Sequence, residues 1–359
     1  MNYLDELKSF GLPDNSVNAR AKHYQMYDTI TFATGTTQYN LFVNSTLTAS
    51  QRNRLLPISN NEVVELVAVK GFLNTALDFA TLGNADIFSR SYLSVSVDDR
   101  EKLKIPFWEF VNFGYNDYRY NASTTSAQSF DVRNRKRKLQ FPIVLNSSSN
   151  VVIKIETTST TATNYNGIEL DVEFEAIKYD KLSNYQIDLR KGSNFERLSY
   201  SFYDTQQLTL GSATNYELFS TRNKNITDFS KTFPLGDKEV FSIENIELFT
   251  AIKLPGLTEY NNFIKNLNRS VIQIFVDDIE FFNYRALDMI TLIGNNGAGV
   301  QELVTILKDN GGLTLQTPLT IPANSRVKAS FESPALTVTG GVTTYFTVDL
   351  KGTLQRTVA

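Results

Sequence analysis

The residues Met289–Leu307, MITLIGNNGAGVQELVTIL, imitate a strand, a glycine loop and a helix. Gly294, Gly297 and Gly299 are of the type that lets backbone N–H groups approach a phosphate at a helix start. The spacing is not G-x-G-x-x-G, no lysine follows the last glycine directly, and no βαβ pattern surrounds the stretch. It reads as a turn feeding a short helix. Two acidic pairs, Asp98-Asp99 and Asp277-Asp278, are of the type used in glycoside hydrolysis or calcium binding. Neighbouring residues on a strand point to opposite faces, so an adjacent pair is not by itself an acid–base couple. Their occurrence at two places suits a strand end or a loop.

One dense basic run, RNRKRK, places Arg133, Arg135, Lys136, Arg137 and Lys138 together. Such a run can meet the phosphates of a nucleic acid or a lipid, or an acidic neighbour; it also suits a solvated loop. The segment Ile105–Tyr120, IPFWEFVNFGYNDYRY, holds Trp108, the only tryptophan. Aromatics this dense can stack on sugars or bases, but core packing or a subunit interface is the simpler use. Near the start, Leu4 and Leu7 form an apolar stripe that Gly11 and Pro13 close. This segment would dock on a membrane surface, on a neighbour or on its own domain.

The composition removes several chemistries. The 359 residues include no cysteine and a single histidine, His23, read as an ordinary surface or interface residue. Disulfides and thiolate catalysis are absent, and a Ser-His-Asp relay or multi-histidine zinc site lacks its imidazoles. No catalytic residue, metal or cofactor is expected. With 35 basic and 38 acidic residues the charge is near balance, which argues against a surface that is wholly a polyanion trap. The opening MNYLDELKSF carries acids where a secretory signal needs positive charge. No run approaches the roughly 18 apolar residues of a membrane span. A soluble chain made in a cytoplasm is expected.

The most informative pattern is repetition. YDTITFATGTTQYNLF, from Tyr27 to Phe42, returns as YDTQQLTLGSATNYELF, from Tyr203 to Phe219. Tyr27 and Tyr203 lie 176 positions apart, as do Gly35 and Gly211. Pro57 and Glu62 match Pro234 and Glu239 at 177, and Asp98-Asp99 matches Asp277-Asp278 at 179. Leu139 and Leu315, then Val172 and Val348, return to 176. A shared offset that drifts so little implies two copies of one domain. The division reads as an N-terminal segment 1–26, a first copy 27–180, a connector 181–202 and a second copy 203–359. The basic run has no counterpart in the second copy.

Each copy is strand-like. Val151–Thr158, Ile168–Ile177, Val271–Phe282 and Thr343–Leu350 alternate or cluster β-branched and aromatic residues. Turn residues separate them at Asn146–Asn150, Gly211–Thr214, Pro322–Ser325 and Thr339–Gly341. Helix is scarce, the best candidate being Gly299–Gly312. Nearly all-β copies of this size suggest an all-β chain of two tandem two-sheet sandwiches with a few short helices; two eight-stranded jelly rolls fit the size and are preferred, but periodicity gives no strand order and another Greek-key sandwich stays open.

Two tandem sandwiches without a catalytic kit, cysteine or export signal resemble the double jelly-roll major capsid proteins of the adenovirus–tectivirus lineage. In length and style the chain is most similar to coats of tailless icosahedral bacteriophages that contain a membrane. The resemblance covers Tyr27 to about Leu350 and is architectural, so it transfers no site residues. It implies a homotrimer with six jelly rolls and a pseudo-hexagonal outline, lateral trimer–trimer contacts, and a place in the virion. Possible further partners are an internal lipid membrane, minor capsid or vertex proteins and the genome. On that reading Arg133, Arg135, Lys136, Arg137, Lys138, Leu4 and Leu7 are candidate partner contacts. The competing readings are a carbohydrate-binding adhesin with Trp108 as its sugar platform, and a β-sandwich hydrolase whose carboxylates meet only on folding.

Overall fold

The computed structural model describes residues 20–43, 62–77, 90–117, 127–130, 136–180, 195–209, 214–220, 235–253, 265–295, 308–309, 312–333 and 343–357, with residues 58, 60 and 87 singly. The first half holds β1 (Arg20–Thr31), β2 (Gln38–Leu41), β3 (Val63–Leu77), β4 (Tyr92–Val97), β5 (Arg100–Pro106), β6 (Val111–Asp117), β7 (Ala127–Phe130), β8 (Arg137–Asn146), β9 (Val151–Glu156) and β10 (Glu169–Asp180). The second holds β11 (Phe195–Thr209), β12 (Thr214–Leu218), β13 (Glu239–Lys253), β14 (Val271–Val276), β15 (Ile279–Arg285), β16 (Ile290–Asn295), β17 (Lys308–Asp309), β18 (Leu313–Ile321), β19 (Val327–Ser333) and β20 (Thr343–Thr357).

The sheets reveal one plan used twice. In the first half β1-β10-β3-β8 faces β2-β9-β4-β5, with β6 and β7 extending the first sheet beside β3. In the second, β11-β20-β13-β18 faces β12-β19-β14-β15, with β16 and β17 in the extending position. With the two extension strands set aside, first pairs with last, second with second-last, and so inward. A long antiparallel hairpin rolled on itself gives this order, which is that of a jelly roll. The chain is a double jelly roll. Each extension enters parallel to its neighbour, β6 on β3 and β16 on β13.

Strand chemistry follows the burial. β14, VIQIFV, alternates half-buried and buried positions, and β9 and β19 do the same, as strands with one face in a core should. The two faces of each sandwich enclose an aliphatic and aromatic core, one centred on Leu66, Val95, Ile155 and Phe174, the other on Ile243, Ile274, Phe331 and Leu350. Among the described residues no helix is long and apolar enough to cross a membrane.

The repeated tripeptide now has a cause. Asp28 in β1 is buried, and its Oδ2 accepts a hydrogen bond from the Phe42 backbone N–H at 2.6 Å. Asp204 in β11 does the same for Phe219 at 2.8 Å. Phe42 and Phe219 have φ of 59° and 60°, a left-handed conformation that costs about 1–2 kcal/mol for an L-residue. The carboxylate thus satisfies an N–H at the point where the chain leaves β2 or β12. The acidic pairs are likewise structural. Asp98, Asp99, Asp277 and Asp278 all have positive φ, between 50° and 64°, the signature of the two-residue turn that matches strand twist. Asp98 Oδ1 accepts from Asn150 N at 2.8 Å, and Asp277 Oδ1 from Arg326 N at 2.9 Å.

Several sequence boundaries move. The stretch Val271–Phe282, read as one strand-like unit, is the β14–β15 hairpin folded at Asp277-Asp278. β1 begins at Arg20, ahead of Tyr27, and β11 begins at Phe195, inside the stretch read as a connector. Of the helix expected over Gly299–Gly312, Lys308 and Asp309 are a strand pairing with Leu292 and Thr291, which satisfies the edge of β16. Residues 299–307 lie outside the described residues.

Candidate functional site

The densest polar constellation lies where the two jelly rolls meet. The first contributes one flank: β5, β8 and the 3-10 turn Phe107–Glu109. The second contributes the outer face of its sheet, β11, β20 and β13. Trp108 is only 3% exposed, and its ring stacks on Phe249 of β13 with centroids 5.1 Å apart and planes 7° from parallel. Lys351 Nζ sits 4.8 Å from the Trp108 ring centroid. A desolvated cation over an indole contributes about 2 kcal/mol, and the stacked pair about 0.5–1.5 kcal/mol beyond the buried area. Trp108 is therefore the pin of the intramolecular interface. Its burial removes the sugar platform on which the adhesin reading depended.

Around this pin lie three buried carboxyls and two cations. Arg137 Nε is 3.3 Å from Glu109 Oε2. Lys351 pairs with Glu247 and lies 3.8 Å from Asp349 Oδ2. Burial pushes the Asp349 carboxyl well above the usual carboxylate range, and the Glu109 charge adds to that shift. Burial pulls the Lys351 ammonium down, but Glu247, Glu109 and Asp349 outweigh it and the net shift is upward. Removing either cation from such a cluster costs about 3–5 kcal/mol because a buried charge is left uncompensated.

A second group closes the other side of the seam. Lys102 of β5 pairs with Glu196 of β11, which Arg356 of β20 also holds. The Tyr200 hydroxyl donates to Glu101 at 2.9 Å, and Arg356 Nη2 donates to the Glu101 carbonyl at 3.0 Å. Burial pushes the Glu196 carboxyl up, yet Lys102 and Arg356 together hold it below its ordinary value. Beside the first group runs a cleft of about 290 Å³, bounded by Arg137, Lys138 and Gln140 on one side and Ser199, Glu244 and Lys351 on the other. Its walls are the two halves of the seam, bridged by the Ser199 hydroxyl accepting from Phe141 N at 3.1 Å.

Of the basic run, Lys136 pairs with Glu175 at 2.6 Å and Arg137 with Glu109, while Lys138 is exposed at the cleft. Arg133 and Arg135 lie outside the described residues, as do Leu4 and Leu7. His23 is exposed on β1. Among the described residues no cluster of three or more His, Asp or Glu could hold a metal ion. Sequence reasoning missed Lys102, Glu196, Arg356, Asp349 and Lys351. Lys102 and Arg356 meet Glu196, and Lys351 meets Glu247, across strands far apart in the chain, which no local spacing announces; Asp349 lies two residues from Lys351 on β20, and only the fold buries it.

No protein-family model matches the chain, and no curated protein matches it. Among solved structures it is similar to the major capsid protein P2 from Bacteriophage PM2, at 10% identity over 95% of this chain and 98% of that one, with a TM-score of 0.34. It is also similar to the PBCV-1 virus capsid, at 10% identity over 96% of each chain and a TM-score of 0.35. A third is from Sulfolobus Turreted Icosahedral Virus, at 8% identity over 93% of this chain and 90% of that one, with a TM-score of 0.34.

Proposed function

We propose that this chain is a structural coat subunit: a major capsid protein that self-assembles as a homotrimer of six jelly rolls and tiles an icosahedral virion. The observation that carries the reading is the fusion of two sandwiches of identical strand order through a flank-to-face contact rich in buried charge. Such a contact is specific and directional, and a directional contact between like domains is the means by which rings are built. The two sandwiches are copies of one ancestral domain, 27–180 and 203–359, joined through 181–202, with each copy's first strand reaching back to Arg20 and Phe195. Assembly rather than catalysis is the role, since the densest polar cluster is consumed in holding the halves together.

Lateral trimer–trimer contacts then sum many weak interactions through multivalency. The basic run, through Arg133, Arg135 and Lys138, and the N-terminal Leu4 and Leu7 are proposed contacts to a further partner: an internal membrane, a minor capsid or vertex protein, or the genome. Synthesis in the host cytoplasm belongs to the same reading. Native mass spectrometry and electron microscopy of the purified chain test it. A three-fold particle with a hexagonal outline is expected; a monomer at all concentrations overturns it.

A further inference from the structure

The seam buries one carboxyl more than it has cations to match. Glu109, Glu247 and Asp349 bring three carboxyls, while Arg137 and Lys351 bring two cations. Asp349 is wholly buried, and neither of its carboxyl oxygens has a hydrogen-bond partner among the described residues. Every element packed around it presents a titratable or charged group. In the ladders β11 sets Tyr203 on one side of it and β13 sets Glu247 on the other. β20 adds Lys351, whose Nζ is 3.8 Å from Asp349 Oδ2. From the first jelly roll come Glu109 of the 3-10 turn and Arg137 of β8, paired with each other. Burial holds the Tyr203 hydroxyl neutral well beyond the ordinary tyrosine range. The two cations are matched by two carboxylates, and the third carboxyl is left over.

An unmatched ion at this depth costs far more than a neutral acid. Burial and the Glu109 charge both push the Asp349 carboxyl up, so the closed seam holds it as the neutral acid. The imbalance is not inherited from the repeat. Asp349 faces Glu247 in the β20–β13 ladder, and their equivalents Glu173 and Lys70 face each other in β10–β3. Glu173 and Lys70 form an ion pair at 3.0 Å that water reaches. Opposite charges thus stand where the face is open, and two carboxyls where the seam covers it. The Lys102–Glu196–Arg356 group differs again, with two cations on one carboxylate and no proton needed.

We propose that the seam is a proton-linked clasp: its closure takes up one proton at Asp349, its opening releases that proton, and rising pH therefore parts the two jelly rolls. The sign follows from water reaching Asp349 when the seam opens, which returns the carboxyl to its ordinary affinity for a proton. Below that ordinary value the seam keeps its full strength. Between the ordinary and the raised value, opening gains about tenfold per pH unit, and above the raised value it levels off. Glu196, held low by its two cations, acts with the opposite sign and weakens the seam only in acid. The clasp works within one chain, so the inference stands apart from the coat reading.

The test uses the full chain, which lacks cysteine. Ser201 is fully buried beside Lys351 in the β11–β20 ladder, so Ser201→Cys puts a single thiol beneath the seam. Its reaction with an aromatic disulfide reagent, divided by that of a free cysteine peptide at each pH, gives the opening equilibrium. From about pH 5 to about pH 9 this ratio should climb about tenfold per pH unit and then level, with far-UV circular dichroism unchanged. Adding Asp349→Asn, or Glu109→Gln, removes the surplus carboxyl by two independent routes, and each should flatten the climb. Adding Glu196→Gln should leave the climb in place. A ratio that does not change with pH, or a climb that survives both Asp349→Asn and Glu109→Gln, overturns the proposal. Loss of the climb in Glu196→Gln overturns the assignment to Asp349.

Discussion

At the scale of single residues, buried carboxylates do structural work, and their environments differ enough to be separated by pH. Asp204 accepts from Phe219 N–H; burial nevertheless pushes its carboxyl up, against that bond and those from Gln206 and Thr205. Asp204→Ala strands the Phe219 N–H and should lower stability by about 1–3 kcal/mol in urea denaturation. Glu196 is held below its ordinary value by Lys102 and Arg356. Its contribution is therefore present above the unfolded carboxylate pKa and lost as pH falls through the folded one. In Glu196→Gln the acid limb of the stability curve should flatten. Asp349 has the opposite sign. Its folded pKa is raised, so its contribution is full under acid and lost as pH climbs through the folded value. Asp349→Asn should match the wild type in acid and gain on it as pH rises, as measured by melting temperature across the range.

At the scale of elements, the repeat is carried by irregularities as much as by strands. β3 skips Val67 and β13 skips Glu244 in their ladders, 177 positions apart and at equivalent places. In the second copy the bulge brings Gly352 against β13 so closely that a Cβ would lie 1.9 Å from the Ser242 carbonyl oxygen. Gly352→Ala should therefore cost about 2–3 kcal/mol in the same denaturation assay, through forced separation of β13 and β20. The Asp98-Asp99 turn holds two non-glycine residues at positive φ. This hairpin chemistry is why Val271–Phe282 reads as one strand-like stretch. A turn of two aspartates lacks the glycine that usually marks it, and apolar residues continue on both sides.

At the scale of the whole molecule, one aromatic pair couples the two jelly rolls. Phe249 belongs by sequence to the second copy yet packs with the core of the first. Phe249→Ala should lose about 3–5 kcal/mol and leave Trp108 without its stacking partner. The single tryptophan makes the outcome readable: its emission should shift to the red, and one calorimetric transition should divide into two as the jelly rolls unfold separately.

How much of this was legible before folding depends on how far apart the cooperating residues stand. Alternating β-branched residues and recurring turns were enough to indicate two all-β sandwiches, because strand and turn preferences are local. The repeat exposed the duplication, because Tyr27-Asp28-Thr29 and Phe42 answer to the same clamp as Tyr203-Asp204-Thr205 and Phe219. The partner of each jelly roll could not be read this way. Lys102 and Glu196, Trp108 and Phe249, and Phe141 and Ser199 come from different jelly rolls, and nothing in their sequence neighbourhoods specifies which face covers which. Burial of Ser199 beside exposure of His23, its equivalent, arises only when one copy lies against the other. That asymmetry between sequence equivalents is a property of tertiary packing.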